Sequence, residues 1–284
     1  MIRTAHLFAG AGGGILADLI LGHEPKLAVE ISKPCCWMLE ARQREGWLPR
    51  DMHIHCGDIR QLDWEPWAGK VDCIAAGFPC QDISCAGNGA GIEGERSGLV
   101  WEVFRAIDTI KPSLVFLENS PCIRTRGRKE VTAALVERGY CWRDGILAAS
   151  DVDAPHKRDR WWLLAANPDG LRQLEQERGQ QDKWGWSGDS AEASADTSCI
   201  ELQRAVRCRI LSNIDAGAIE AAARYTAAYS WSPPDAGFCG MVDGVADQLD
   251  SVFRGSKRNR IAAAGNGQVP LQAAAAWLIL AHTI

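Results

Sequence analysis

The 284-residue chain contains no apolar run approaching the ~20 residues that a membrane-crossing helix requires. Its first residues, Met1-Ile2-Arg3-Thr4-Ala5-His6-Leu7-Phe8, give way to glycines before an export-signal core can form, so a cytoplasmic location is the expectation. Paired Cys-x-x-Cys units are absent. The eleven cysteines are an odd count at irregular spacing, which suggests neither a disulfide framework nor a zinc site and predicts reduced thiols. No internal repeat is evident. Positive charge is scarce overall: the formal net charge of −5 speaks against a surface that binds a polyanion everywhere.

What basic charge there is falls in groups. Arg124, Arg126, Arg128 and Lys129 form one, His156, Lys157, Arg158 and Arg160 a second, and Arg254, Lys257, Arg258 and Arg260 a third. Any one alone reads as a solvated face. Three of them beside glycine-bearing loops predict a single phosphate-facing side.

Length and ordinary composition suit one large domain, or one with a small insert. Residues 4 to 8 predict a strand, Ala9-Gly10-Ala11-Gly12-Gly13-Gly14 a tight turn, and Ile15, Leu16, Leu19 and Ile20 the apolar face of a helix. Strand, glycine turn and helix open a nucleotide-binding α/β fold, in which backbone N–H groups at the helix start favour a negative group. The Gly-x-Gly-x-x-Gly spacing is met only loosely, and it does not separate dinucleotide binders from S-adenosylmethionine binders. Leu27 to Val29 predict a second strand ending in Glu30, an acid suitably placed for ribose hydroxyls. Ser32 is expected to cap the next helix, with Pro34 in its first turn and Gly46 at its end. His53-Ile54-His55-Cys56-Gly57-Asp58-Ile59 predicts a third strand ending in an acid. Its two histidines have no further ligand nearby and read as structural.

The centre of the pattern is Ala75-Ala76-Gly77-Phe78-Pro79-Cys80-Gln81-Asp82-Ile83-Ser84. Val71 to Ala76 read as a strand buried on both faces, stopped by Gly77 and Pro79, so that Cys80 stands at the end where a parallel sheet meets its ligands. A lone cysteine is ordinarily a small buried hydrophobe. Here a glycine-rich loop, Cys85 to Gly91, follows it and is expected to be mobile enough to close over a substrate. Val100, Val103, Phe104 and Ile107 mark a helix that Pro112 limits, and Leu114 to Leu117 a buried strand ending at Glu118-Asn119-Ser120. A helix over 130–138, a strand over 146–149 and a strand over 161–166 follow. The polar stretch from 167 to about 197 predicts a loop-rich insert, with helices at about 198–210 and 216–228 and a last helix over 271–280 that returns beside the first strand.

Pro79-Cys80-Gln81 resembles the nucleophile motif of the DNA cytosine-5 methyltransferases, and Ser84, Gly87, Gly91, Arg96, Ser97, Gly98 and Leu99 resemble that family's following loop and helix start. Glu118-Asn119 resembles its Glu-Asn motif. Arg158 and Arg160 match its Gln-x-Arg-x-Arg motif, with His156 standing where the family has glutamine, and Gly265-Asn266-Gly267 resembles its closing Gly-Asn motif. The resemblance implies an α/β, Rossmann-like doubly wound mixed sheet with a small, loop-rich recognition insert: residues 1–166 as the main catalytic part, 167–240 as the target-recognition region and 241–284 as the return. It implies methyl transfer from S-adenosylmethionine to carbon 5 of a flipped-out cytosine in double-stranded DNA. Cys80 would be the nucleophile and Glu118, Arg158 and Arg160 the groups that handle the base. Phe8, Ala11, Gly13, Glu30, Ile31, Asp58, Ile59, Pro79, Leu99 and Asn266 would hold the cofactor, and Gln81, Ser84, Gly87 and Asn119 the substrate, with no metal and no membrane. A monomer paired functionally with a restriction endonuclease is the expected context.

Other readings remain at this point. A nicotinamide-dependent oxidoreductase accounts for the glycine turn and Glu30 but not for Cys80 and Glu118 at two strand ends. A zinc base deaminase needs a Pro-Cys-x-x-Cys spacing that is missing, since the cysteine after Cys80 is Cys85. A non-catalytic DNA-binding module would leave Cys80 without a task. A tRNA cytosine-5 methyltransferase shares the chemistry with a different nucleic acid.

Overall fold

Short runs of small and β-branched residues become the strands, and the glycines between them become the turns that point strand ends at one rim. The computed structural model of the chain describes residues 1–79, 97–152, 154, 156–172 and 267–283. Cys80, Gln81, Ser84, Gly87 and Asn266, the third basic group and the helices expected at 198–210 and 216–228 lie outside the described residues. In chain order the elements are β1 (Arg3–Leu7), α1 (Gly13–Leu21), β2 (Glu24–Glu30), α2 (Lys33–Arg44), β3 (His53–Cys56), β4 (Cys73–Gly77), α3 (Val100–Ile110), β5 (Leu114–Asn119), α4 (Arg128–Glu137), β6 (Cys141–Ala148), β7 (Asp159–Ala166) and α5 (Pro270–Thr283).

The strands form one seven-stranded sheet in the order β3-β2-β1-β4-β5-β7-β6. The first five of these are mutually parallel, and β7 runs antiparallel to both β5 and β6. The order reverses between β1 and β4, so the crevice at their C-terminal ends is the topological switch point where such sheets bind ligands. The expected doubly wound mixed sheet is thus present.

Period-two alternation sends successive side chains to opposite faces. On one face Leu7, Ile74, Leu117 and Leu163 pack with Phe104 and Ile107 of α3 and Leu135 of α4. On the other, Ala75, Phe116 and Trp162 pack with Ala17 and Ile20 of α1 and with Ala273 to Trp277 of α5. The Phe116 and Trp162 rings stack at 5.3 Å between centroids, and Trp277 meets Phe116 edge-on at 5.1 Å. The alanines of α5 allow this helix to lie close against α1 and across β6 and β7.

Three local expectations are altered. The Ser32 hydroxyl makes no cap bond at the start of α2; instead the Ser32 N–H donates to Glu30 Oε1 at 2.7 Å. Strand β6 starts five residues before the expected 146, because β7 pairs with it from Cys141↔Ala166 to Ala148↔Asp159. Within the first basic group, Arg128 turns inward: its guanidinium meets Asp144 at 2.5 and 3.0 Å and lies 4.9 Å over the Trp142 ring. Asp144, 9 % exposed, also accepts from Trp161 Nε1 at 2.7 Å, so Arg128 braces the sheet instead of facing phosphate.

Candidate active site

Five parallel strands deliver their C-terminal ends to one rim, and three of those ends carry or precede an acid. Between the ends of β1, β2, β3 and β4 lies a pocket of about 360 Å³ lined by Phe8, Glu30, Ile31, Asp58, Ile59, Arg60, Pro79 and Leu99, among others. Its volume falls within the ~300–1,000 Å³ typical of small-molecule sites. Phe8 takes a left-handed backbone, φ 59°, where the chain leaves β1, a conformation unusual for a side chain of its size. Gly10 and Gly12, at φ 55° and 91°, continue that turn, and the Gly10 N–H donates to Glu30 Oε2 at 2.7 Å. With Ser32 on the other oxygen, the Glu30 carboxylate is fixed by two backbone donors and retains one lone pair on each oxygen.

Asp58 stands at the neighbouring strand end. Its carboxylate accepts from the Arg60 guanidinium and from the Arg60 backbone N–H, and this fork lowers its pKa to about 2, so it is charged across the physiological range. Ile59 is buried beneath, whereas Ile31 is exposed at the rim. Two fixed acids beside apolar walls fit a nucleoside, whose ribose diol offers donors and whose base offers flat apolar faces. Ala11 and Gly13 lie in the adjoining turn, where a Cβ at Gly13 would run into the Gln268 carbonyl.

One strand over, β4 and β5 bring Gly77 opposite Glu118 in their ladder. The Glu118 carboxylate is 9 % exposed and pairs through Oε1 with Arg160 Nε at 2.9 Å. Burial pushes its pKa above the usual carboxylate value despite the opposing pull of Arg160, the Gln268 amide and Arg158. Gln268 Nε2 lies 3.5 Å from Glu118 Oε2. Arg158, at φ 39°, donates to the Gly267 carbonyl, and its own carbonyl accepts from Gln272 Nε2 at 2.9 Å. The two arginines therefore divide their work: Arg160 holds the carboxylate and Arg158 ties the segment before α5 to the start of β7.

Asn119 is buried, and its amide donates to the Phe78 carbonyl at 3.1 Å while its carbonyl oxygen accepts from the Ser120 N–H. It holds the backbone at Phe78, two residues before Cys80. Pro79 lines the pocket, one peptide bond before the cysteine. The structure thus gathers Phe8, Glu30, Ile31, Asp58, Ile59, Pro79 and Leu99 at one pocket, with Glu118 and Arg160 at the adjacent strand end.

Arg60 and Gln268 were not singled out from the sequence, although Gln268 sits inside the closing glycine motif and Arg60 two residues after an acidic strand end. Among the described residues no cluster of three or more His, Cys, Asp or Glu side chains could hold a metal, and no helix is long and apolar enough to cross a membrane.

Residues 2–198 match the family model for C-5 cytosine-specific DNA methylase. Type II methyltransferase M.Eco47II of Escherichia coli is 32% identical over 168 residues, covering 57% of this chain and 39% of that protein. Type II methyltransferase M.CviJI of Paramecium bursaria Chlorella virus IL3A is 33% identical over 168 residues, covering 59% and 44%. The match therefore spans less than half the length of either relative. The solved structure of Entamoeba histolytica methyltransferase EhMeth superposes with a TM-score of 0.48 at 17% identity, over 58% of this chain and 53% of that one.

Proposed function

This chain belongs to the C-5 cytosine-specific DNA methylase family, and from that premise we propose that it transfers a methyl group from S-adenosylmethionine to carbon 5 of cytosine in DNA. The observation that carries the reading is the adjacency of a nucleoside-sized, acid-lined pocket to the buried Glu118–Arg160 pair, at neighbouring strand ends. Glu30 and Asp58 would hold the nucleoside part of the cofactor, with Phe8, Ile31, Ile59, Pro79 and Leu99 against its base and Ala11 and Gly13 in the turn beside it; Asn266 is assigned to the cofactor as well. When bound, S-adenosylmethionine supplies an electrophilic methyl group.

The cytosine ring is a poor nucleophile at carbon 5, and the remaining chemistry belongs to the chain. Cys80, as thiolate, adds to carbon 6 and pushes electron density toward carbon 5 and ring nitrogen 3. Glu118, whose pKa is raised by burial, shares a proton with nitrogen 3 as negative charge grows there. Arg160 holds the Glu118 carboxyl in place through Oε1. Loss of the carbon 5 proton and departure of Cys80 then restore aromaticity. Because those ring atoms are stacked inside a duplex, the base must leave the helix to be reached, and Gln81, Ser84, Gly87 and Asn119 are the residues assigned to that side of the pocket. Residues 167–240 are assigned to target recognition, and the type II names of the relatives support a restriction-modification setting; the cytoplasm is the location we assign to it.

Bisulfite sequencing of a plasmid from cells expressing the chain tests this reading. Retained cytosines at a repeated sequence context are expected, and uniform conversion refutes it. Offering labelled S-adenosylmethionine with duplex DNA and with tRNA separates the two nucleic acids, and binding measured against NAD separates the oxidoreductase.

A further inference from the structure

Behind Glu118 the fold buries a second set of ionisable groups that methyl transfer, as derived above, does not use. Asp18, on α1, is 5 % exposed and sits between two imidazoles: His6 Nε2 lies 2.5 Å from its Oδ2 and His23 Nδ1 3.2 Å from its Oδ1. The Thr4 hydroxyl donates to Oδ2 as well. Burial alone would push this carboxyl up, but the His6 and His23 rings outweigh it and hold Asp18 ionised. An ionised Asp18 requires the proton on His6 Nε2, which leaves His6 Nδ1 directed the other way.

That other side is a cavity of about 20 Å³ lined by His6, Gly14, Gly77, Glu118, Gly267 and Gln268, among others. It is the size of a single water, and it is polar enough to hold one. Two glycines locate the polar atoms around it. A Cβ on Gly14 would lie 3.1 Å from His6 Nδ1 and 2.5 Å from Gln268 Oε1; a Cβ on Gly77 would lie 2.8 Å from Glu118 Oε2 and 2.9 Å from Gln268 Nε2. Asp18, His6, the cavity and Glu118 therefore form a continuous polar line, with Gln268 beside it.

We propose that His6, held by Asp18, is the proton reservoir of Glu118, exchanging one proton with it through a water in this cavity. The inference rests on the methyl-transfer reading for its purpose. In the loading direction the His6 Nδ1–H bond breaks as the water gains that proton, and the water passes another to Glu118 Oε2. Imidazolium and carboxylate become imidazole and carboxylic acid, and no electrons change hands. His6 is a positioning residue that acts through Glu118. The charged and titratable groups facing this line are Asp18 and His23 on the α1 side, Cys73 on β4 beneath Asp18, and Arg158 and Arg160 on the β7 side of Glu118.

Nitrogen-15 NMR of histidine-labelled full-length chain tests the coupling without activity. Replacing Glu118 by glutamine removes a negative charge one water away, so the His6 titration midpoint should fall by about one pH unit. An unmoved midpoint overturns the proposal. Steady-state methyl transfer adds a second readout: by the same reciprocal coupling, His6→Gln removes a cation near Glu118 and should move the alkaline limb of kcat to higher pH while leaving the KM for DNA unchanged. An equal loss of kcat at every pH would mark His6 as merely structural and overturn the proposal too. If His6→Gln does not fold, the Glu118→Gln titration still decides. A wild-type chain that methylates no nucleic acid while the midpoint moves would sink the methyl-transfer reading and leave the His6–Glu118 coupling standing.

Discussion

Replacing Arg160 by methionine removes a charge and keeps most of the side chain's length, so it isolates what the guanidinium does for Glu118. At roughly 4 Å between charge centres and an effective dielectric of 20, the gross attraction is about 4 kcal/mol. Much of it offsets the cost of burying the carboxylate, whose pKa is raised even with Arg160 present. In Arg160→Met the carboxylate escapes its isolation by taking up a proton, so the penalty depends on pH. The sign is fixed by linkage: a carboxyl whose folded pKa lies above its unfolded value binds more protons when folded. Stability therefore declines as pH rises from the unfolded value through the folded one, by up to about 1.4 kcal/mol per unit of that shift. The substitution raises the folded pKa further and steepens that decline. Urea denaturation of wild type and Arg160→Met should differ by about 2 kcal/mol at pH 8 and by less than about 1 kcal/mol at pH 5.5. The double variant Glu118→Gln, Arg160→Met should lose the pH dependence. A difference that is the same at both pH values would refute the claim that Arg160 acts on a buried, titrating Glu118.

Three further outcomes follow from the geometry. Glu30→Gln exchanges one acceptor for a donor facing a backbone N–H, of Gly10 or Ser32, and should weaken S-adenosylmethionine binding ~10–100-fold by calorimetry; unchanged affinity would place the ribose elsewhere. Trp161→Phe removes the indole bond to Asp144 while leaving the Arg128 fork, and should cost about 1–2 kcal/mol in urea unfolding; no loss would mean that Asp144 is satisfied without it. Cys80→Ala should abolish methyl transfer and keep DNA retention in a gel-shift assay, whereas residual turnover would disqualify Cys80 as nucleophile.

Local grammar makes much of this molecule legible in its sequence. Runs such as Leu27 to Val29 and Leu114 to Leu117 are short, apolar and followed by an acid, and a strand buried on both faces can place a polar residue only where it emerges. That is why Glu30, Asp58 and Glu118 could be picked out as strand-end acids, and why glycines at positions 10 and 12 marked the turn that meets Glu30. The chain order alone also separates the pocket residues into the turns between successive strands.

Pairing across the chain was beyond that grammar. Arg128 reads as one of a basic group until Asp144, sixteen residues away, is found beneath it. Nothing in the local pattern links Asp18 to His6 and His23, which folding sets against it. The insertion of β7 between β5 and β6 carries Arg160 to Glu118, and the return of α5 carries Gln268 there from 150 positions further along. Periodicity and turn chemistry act over a few residues and so leave their mark in the sequence. The partner of a buried charge is chosen by which strands lie side by side, and only the assembled sheet determines that.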